Sequence, residues 1–305
     1  MKNYRILFMG TAPFAVPSLK KIISLNSHLV GVYTSPAKKA NRGMKLSISP
    51  VAEFAEAENI EISSPPSISS SEELKKLQEM NLDMIIVVAY GLILPEEVIN
   101  LPKLGCFNVH ASLLPRWRGA APIQRAMIEG DQTTGVTIMK MDKGLDTGDI
   151  GLQKEIKIEQ QNYSELEKEL ANEGAELLIN FIDRLDGTIQ FTKQNDTQAC
   201  YAKKIQKQEA LIDWTENAEK INRRINAYNP SPCAWFSLNN KRIKILKAEV
   251  IHEKGEAGKI MNEEFLIGCG INSIRPLLLR VEGKQDCTIN DFLLGHKIEV
   301  GSYIQ

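Results

Sequence analysis

Three polar residues spaced two apart, Asn108, His110 and Ser112, precede a Leu113-Leu114-Pro115 corner. Side chains alternate along a strand, so this spacing predicts all three on one face. An amide N–H there can stabilise an oxyanion developing on a carbonyl. An imidazole beside it can add positive charge to that oxyanion or pass a proton. Asp146, in the glycine-rich turn KGLDTGDI, is the candidate carboxylate to hold the imidazole or take the proton an attacking amine sheds. No serine or cysteine nucleophile with an adjacent base accompanies them, so the expected chemistry is direct acyl-type transfer to an amine. One histidine and scattered acids make no metal-ligand set, and no metal is expected. Spacing alone leaves a structural strand histidine open, and the two acids of GLDTGD, Asp146 and Asp149, could be turn-formers only.

The elements that must position these groups read as follows. Arg5–Met9, Gly10 and a periodic segment from Pro13 to Leu25 predict a strand–turn–helix opening, and GTAPFA carries no dinucleotide fingerprint. Met84–Ala89 is a continuous apolar run typical of a buried parallel strand. Gly135–Met141 and Ile150–Ile158 follow as strands, and Ser164 with Glu167 predicts a capping box opening a helix to about Leu185. Alternation through residues 1–189 predicts an α/β catalytic domain, a doubly wound, Rossmann-like parallel sheet covered on both faces. Residues 190–208 have no clear period and read as a linker. Residues 209–305 hold a helix over Thr215–Tyr228, then short strands with turn punctuation, including an Asn239-Asn240 hairpin signal. That pattern predicts a C-terminal OB-like β-barrel.

The 305 residues are long enough for two domains, and 43% hydrophobic with 25% charged residues is ordinary for a soluble globular chain. A net charge of −1 argues against holding nucleic acid by bulk charge. The average hides an asymmetry, since residues 190–250 carry 11 basic against 6 acidic side chains, compatible with a polyanionic ligand. Residues 35–50 contain Lys38, Lys39, Arg42 and Lys45 and no acid. They read as a long exposed loop with Gly43 as flex point, either solvated or a mobile basic arm for phosphate. Five cysteines without a CxxC pair predict free thiols. With no signal peptide or membrane span in evidence, a cytoplasmic location is expected. No oligomer signature is present, and a monomer is the expectation.

The run FNVHASLLPRWRGAAPIQRAMIEGD, with GVTIMKMDKGLDTGDI, resembles the folate-dependent formyltransferases. The likeness takes in GTAPFAVPSL, AYGLILP, QKQEALIDW and NAYNPSPCAWF, nearly the whole chain. The basic loop and second domain narrow it to the branch acting on methionyl initiator tRNA. The resemblance implies 10-formyltetrahydrofolate as co-substrate and initiator methionyl-tRNA as partner. It implies Asn108, His110 and Asp146 as the catalytic trio and Ser112-Leu113-Leu114-Pro115 as the folate-binding corner. Lys38, Lys39, Arg42 and Lys45, with Lys204, Lys207 and the C-terminal domain, are implied tRNA contacts, and Phe14 a candidate wall of the methionyl pocket. Ala12-Pro13 and the Ser231 and Cys233 positions depart from the family's usual residues. Three alternatives stay open: a formyltransferase for amino-sugar nucleotides, a formyltetrahydrofolate hydrolase, and a non-catalytic RNA-binding module.

Overall fold

The structure, a computed structural model, describes residues 3–25, 28–40, 45–185 and 187–304. The chain divides into two compact units. The first comprises Met1–Gly119, Thr134–Lys157 and Glu167–Tyr201; the second comprises Ala120–Thr133, Ile158–Leu166 and Ala202–Gln305.

In the first unit, β1 (Arg5–Gly10) leads through a 3-10 turn into α1 (Val16–Ser24), which buries Ser18, Leu19 and Ile22 at helical spacing. β2 (His28–Tyr33) follows, then β3 (Lys38–Ala40), β4 (Lys45–Ser47), α2 (Pro50–Ala57), β5 (Ile62–Ser63) and α3 (Ser71–Glu79). Ser49 caps α2 by accepting from the Ala52 N–H at 2.9 Å, and Pro50 occupies the first turn, where its missing donor costs nothing. Every residue of β6 (Met84–Val88) is buried, as its apolar run requires. α4 (Glu96–Ile99) and β7 (Gly105–His110) come next, then β8 (Arg118–Gly119).

α5 (Pro122–Glu129) leaves this unit, and β9 (Thr133–Lys140) and β10 (Ile150–Lys157) complete its sheet in the order β10-β9-β7-β6-β1-β2-β5. β1, β2, β5, β6 and β7 are parallel neighbours, but β9 pairs antiparallel with β7, Val109 opposite Ile138 and His110 opposite Thr137. The sheet is therefore mixed, which corrects the all-parallel expectation. The reason lies in α5: a parallel return needs a crossover helix on the sheet, and α5 instead packs on a helix of the second unit.

Two further expectations change. The 35–50 segment holds the antiparallel pair β3 and β4, Lys38 opposite Ser47 and Ala40 opposite Lys45. Three-residue strands are too short to show a period. α6 (Tyr163–Arg184) is capped two residues earlier than expected. Asn162 Oδ1 accepts from the Glu165 N–H at 3.1 Å, and Glu165 Oε2 accepts from the Asn162 N–H at 2.9 Å. Asn-x-x-Glu closes the same reciprocal box as Ser-x-x-Glu.

Residues 190–201, part of the stretch read as a linker, are tied into the first unit. Thr192 bridges Ile150, and the Phe191 ring stacks on Phe107 with centroids 6.2 Å apart. β11 (Tyr201–Ala202) ends this stretch.

The second unit contains α7 (Ala218–Tyr228), β12 (Ala234–Leu238), β13 (Lys241–Ile251), β14 (Ile267–Gly268), β15 (Ser273–Val281), β16 (Asp286–Thr288) and α8 (Ile289–Gly295). Asn217 caps α7, accepting from the Glu219 N–H at 2.7 Å. Its antiparallel sheet runs β12-β13-β15-β14, with β16 also on β15. Among the described residues no strand pair closes it into a barrel. Asn239 and Asn240 join β12 to β13 with φ of 50° and 59°, the left-handed pair a two-residue hairpin demands. Trp214, Phe236, Phe265 and Phe292 form its aromatic core, successive centroids 5.6–6.1 Å apart. Among the described residues no helix is long and apolar enough to cross a membrane.

Candidate active site

β7 carries Asn108 and His110 two residues apart, hence on one face of the sheet. The strand ends at His110, so alternation does not extend to Ser112. Asn108 is half-buried, and its side-chain amide has no hydrogen-bond partner among the described residues. A half-buried donor left unsatisfied by the protein is suited to a ligand oxygen.

His110 is 6% exposed and bordered on both ring nitrogens. Nε2 lies 2.9 Å from the carbonyl oxygen of Trp117. A carbonyl only accepts, so Nε2 carries a proton. Nδ1 faces Asp146 Oδ2 at 3.7 Å, beyond a direct hydrogen bond but close enough for an ion pair when the ring is charged. Asp146 Oδ2 also accepts from the Gly119 N–H at 2.8 Å. The imidazole thus sits between a carbonyl and a carboxylate.

The turn around Asp146 explains which of its acids do what. Asp142 accepts from the Gly144 N–H and the Thr147 hydroxyl at 2.9 and 2.6 Å, an ordinary turn-former. Asp146 takes a left-handed conformation, φ 54°, which aspartate tolerates, and its carboxylate reaches Gly119 and His110.

The corner after β7 is shaped from inside. The Ser112 hydroxyl is fully buried and donates to the Arg116 carbonyl at 2.6 Å. Thr137 Oγ1 donates to the Ser112 carbonyl at 2.6 Å and accepts from the Leu114 N–H at 3.2 Å. The Gln153 amide donates to the Leu114 carbonyl at 2.8 Å. Ser112 and the Leu114 peptide are therefore committed internally, while Leu113 and Pro115 are half-buried. Gly135 on β9 makes room for the corner: a Cβ there would stand 2.6 Å from Leu113 Cδ2 and 2.2 Å from the Lys154 carbonyl.

Several groups around the trio carried no signal in the sequence. Trp117 adopts φ 63°, turning its carbonyl to His110 while its N–H donates to Cys200 Sγ at 3.2 Å. Arg118 is 2% exposed, donating to Gln194 Oε1 at 3.0 Å and Asp196 Oδ1 at 2.8 Å. Burial works against its charge, but bonds to Asp196 and Tyr201 outweigh that and hold its pKa above the usual arginine value. These contacts join residues distant in sequence, and only the fold reveals them.

The remaining sequence-derived candidates are dispersed. Phe14 is 7% exposed within the 3-10 turn after β1. Lys38, Lys39 and Lys45 lie on β3 and β4, and Arg42 lies outside the described residues. Lys204 and Lys207 are exposed in the second unit.

Residues 4–182 match the formyl transferase family model and residues 204–297 match the formyl transferase C-terminal domain model. The chain belongs to the formyl transferase family. A methionyl-tRNA formyltransferase of Pelagibacter ubique is 43% identical over 304 residues, covering 98% of each chain. One of Caldanaerobacter subterraneus is 42% identical over 308 residues, covering 99% of this chain and all of the relative. Solved structures share the fold at lower identity. HypX from Aquifex aeolicus in complex with tetrahydrofolic acid has a TM-score of 0.64 at 16% identity, covering 99% of this chain and 51% of its own. The N-formyltransferase from Helicobacter canadensis, solved with folinic acid and dTDP-3-aminofucose, has a TM-score of 0.66 at 21% identity, covering 90% of this chain and 99% of its own.

Proposed function

We propose that this formyltransferase moves the formyl group of 10-formyltetrahydrofolate to the α-amino group of methionyl initiator tRNA, giving N-formylmethionyl-tRNA for translation initiation. The end-to-end likeness to methionyl-tRNA formyltransferases at 42–43% identity carries this reading. A structural neighbour with tetrahydrofolate bound supports folate as the donor.

The residues present suit a folate formyl donor: an amide with no hydrogen-bond partner among the described residues, a histidine paired with a carboxylate, and an apolar corner held rigid from behind. When bound, 10-formyltetrahydrofolate supplies the electrophilic formyl carbon. The Asn108 amide donates to the formyl oxygen as negative charge builds there during attack by the methionyl amine. His110, charged at Nδ1 and held by Trp117 at Nε2, adds positive charge beside that oxygen. Asp146 balances the imidazolium and accepts the proton the amine sheds, directly or through water, and that proton passes to N10 as the formyl C–N10 bond breaks and tetrahydrofolate leaves. Ser112, Leu113, Leu114 and Pro115 shape the folate wall, with Leu113 and Pro115 presenting its apolar surface. Phe14 borders the methionyl group. Lys38, Lys39, Arg42 and Lys45 meet the acceptor end of the tRNA, and Lys204, Lys207 and an OB-like second unit meet its backbone by charge.

The test is incubation of the purified chain with 10-formyltetrahydrofolate and a mixture of methionyl-initiator and methionyl-elongator tRNA. Formylmethionine confined to the initiator tRNA supports the reading. Intact folate binding with no product on either tRNA sinks it.

A further inference from the structure

We propose that Gln194 is a positioning residue for the transfer reaction, holding Asp146 in place for His110; this rests on the function proposed above. Gln194 comes from the stretch that looked like a linker, yet its amide is fully engaged at the site. Nε2 donates to the carbonyls of Asp146 and Gly148, both at 2.8 Å. Oε1 accepts from the Arg118 guanidinium at 3.0 Å. This arrangement fixes the orientation of the amide. Turned over, it would set an oxygen against two carbonyls and an NH2 against a guanidinium, with no acceptor for either donor.

The consequence for Asp146 is a grip on both its ends. Its backbone is left-handed, and Gln194 ties its carbonyl, and that of Gly148, from one donor nitrogen. Its carboxylate is held by the Gly119 N–H, and Gly119 follows directly on Arg118. Arg118 is fixed through its side chain by Gln194 and Asp196 and through its backbone N–H by the Cys200 carbonyl at 2.9 Å. Gln194 therefore braces the backbone of Asp146 directly, and steadies its carboxylate through Arg118 and Gly119. The same segment supports the other side of the histidine, because Cys200 Sγ accepts from the N–H of Trp117, whose carbonyl holds Nε2. Both neighbours of His110 are anchored from residues 194–200.

Gln194 touches Asp146 and leaves the reacting atoms to others, so its loss acts through geometry. Displacing a catalytic group by about 1 Å costs on the order of 10² in rate.

The experiment compares the full-length wild type with Gln194→Ala, Asp146→Ala and the double variant in single-turnover formyl transfer to methionyl initiator tRNA. Gln194→Ala is expected to lower kcat by about 10²-fold, with the KM of both substrates little changed. In the Asp146→Ala background the same substitution should add no further loss, the non-additivity of two residues acting as one unit. Gln194→Glu keeps the acceptor for Arg118 but faces an oxygen to two carbonyls, and should be as slow as alanine. A second measurement needs no substrate: amide hydrogen exchange at Gly119, whose N–H reports the bond to Asp146, should accelerate in Gln194→Ala while strand β7 keeps its protection. Wild-type kcat and unchanged Gly119 exchange in Gln194→Ala, or equal losses in both backgrounds, would overturn the proposal. A wild type that transfers no formyl group removes the functional reading instead, and Gly119 exchange then decides the brace alone.

Discussion

The carbonyl oxygen of Trp117 lies 2.9 Å from Nε2 of His110, the ring whose Nδ1 faces Asp146. A backbone carbonyl thus fixes the ring, leaving the carboxylate to respond to its charge. The neutral imidazole must then be the Nε2–H tautomer. Nitrogen-15 NMR of the labelled chain should show a protonated Nε2 and a bare Nδ1 in the neutral ring. The opposite tautomer would mean that the Trp117 bond does not form in solution.

The close approach at Gly135 predicts a large effect from one methyl group. Gly135→Ala places a carbon against Leu113 Cδ2 and the Lys154 carbonyl, and the carbonyl cannot withdraw without moving its strand. Overpacking of this kind costs about 1–3 kcal/mol, and a loss at the upper end is expected. Folate affinity should fall with it, because Leu113 shapes the corner. Denaturant unfolding and folate titration of the variant measure both.

Asp83 ties the starts of β1 and β6 together. Its carboxylate accepts from the Arg5 N–H and from Lys103, each at 2.9 Å, and its side chain is 20% exposed. The Arg5 bond first, then Lys103, holds its pKa below the usual 3.8. A carboxylate depressed by folding contributes stability that is fully present above the unfolded value and is lost as pH falls through the folded one. Asp83→Asn should therefore destabilise the chain by about 1 kcal/mol near neutral pH. The gap from wild type should close in acid. Urea midpoints measured across that range test the sign.

The Asn239-Asn240 turn gives a graded test in the second unit. Both residues are left-handed, which valine resists by about 1–2 kcal/mol and glycine does not. Asn240→Val should lower the thermal midpoint and Asn240→Gly should keep or raise it. Equal effects would argue against the turn.

Much of this was legible in the chain. The unbroken apolar run of β6 announced a buried strand, and Asn-x-His on an adjacent strand announced two polar groups on one face. The Asn-Asn dipeptide announced its hairpin. What escaped reading depends on partners far away in sequence. β9 turned antiparallel because α5 left the sheet for the second unit. β3 and β4 were too short for a period, and Asn162 took the cap expected at Ser164. Trp117 serves through its carbonyl, which any residue type possesses. Gln194 sits in a stretch without periodicity, so neither left a local pattern.

The most direct test of the mechanism is the single-turnover rate of Asn108→Ala with 10-formyltetrahydrofolate and methionyl initiator tRNA, both saturating. Asn108 has no side-chain hydrogen-bond partner to lose among the described residues, so the fold should be intact. Loss of an oxyanion donor predicts a rate lower by ~10²–10³ with binding of both substrates retained. A rate close to wild type under those conditions would contradict oxyanion stabilisation by Asn108 and, with it, the proposed chemistry of the site.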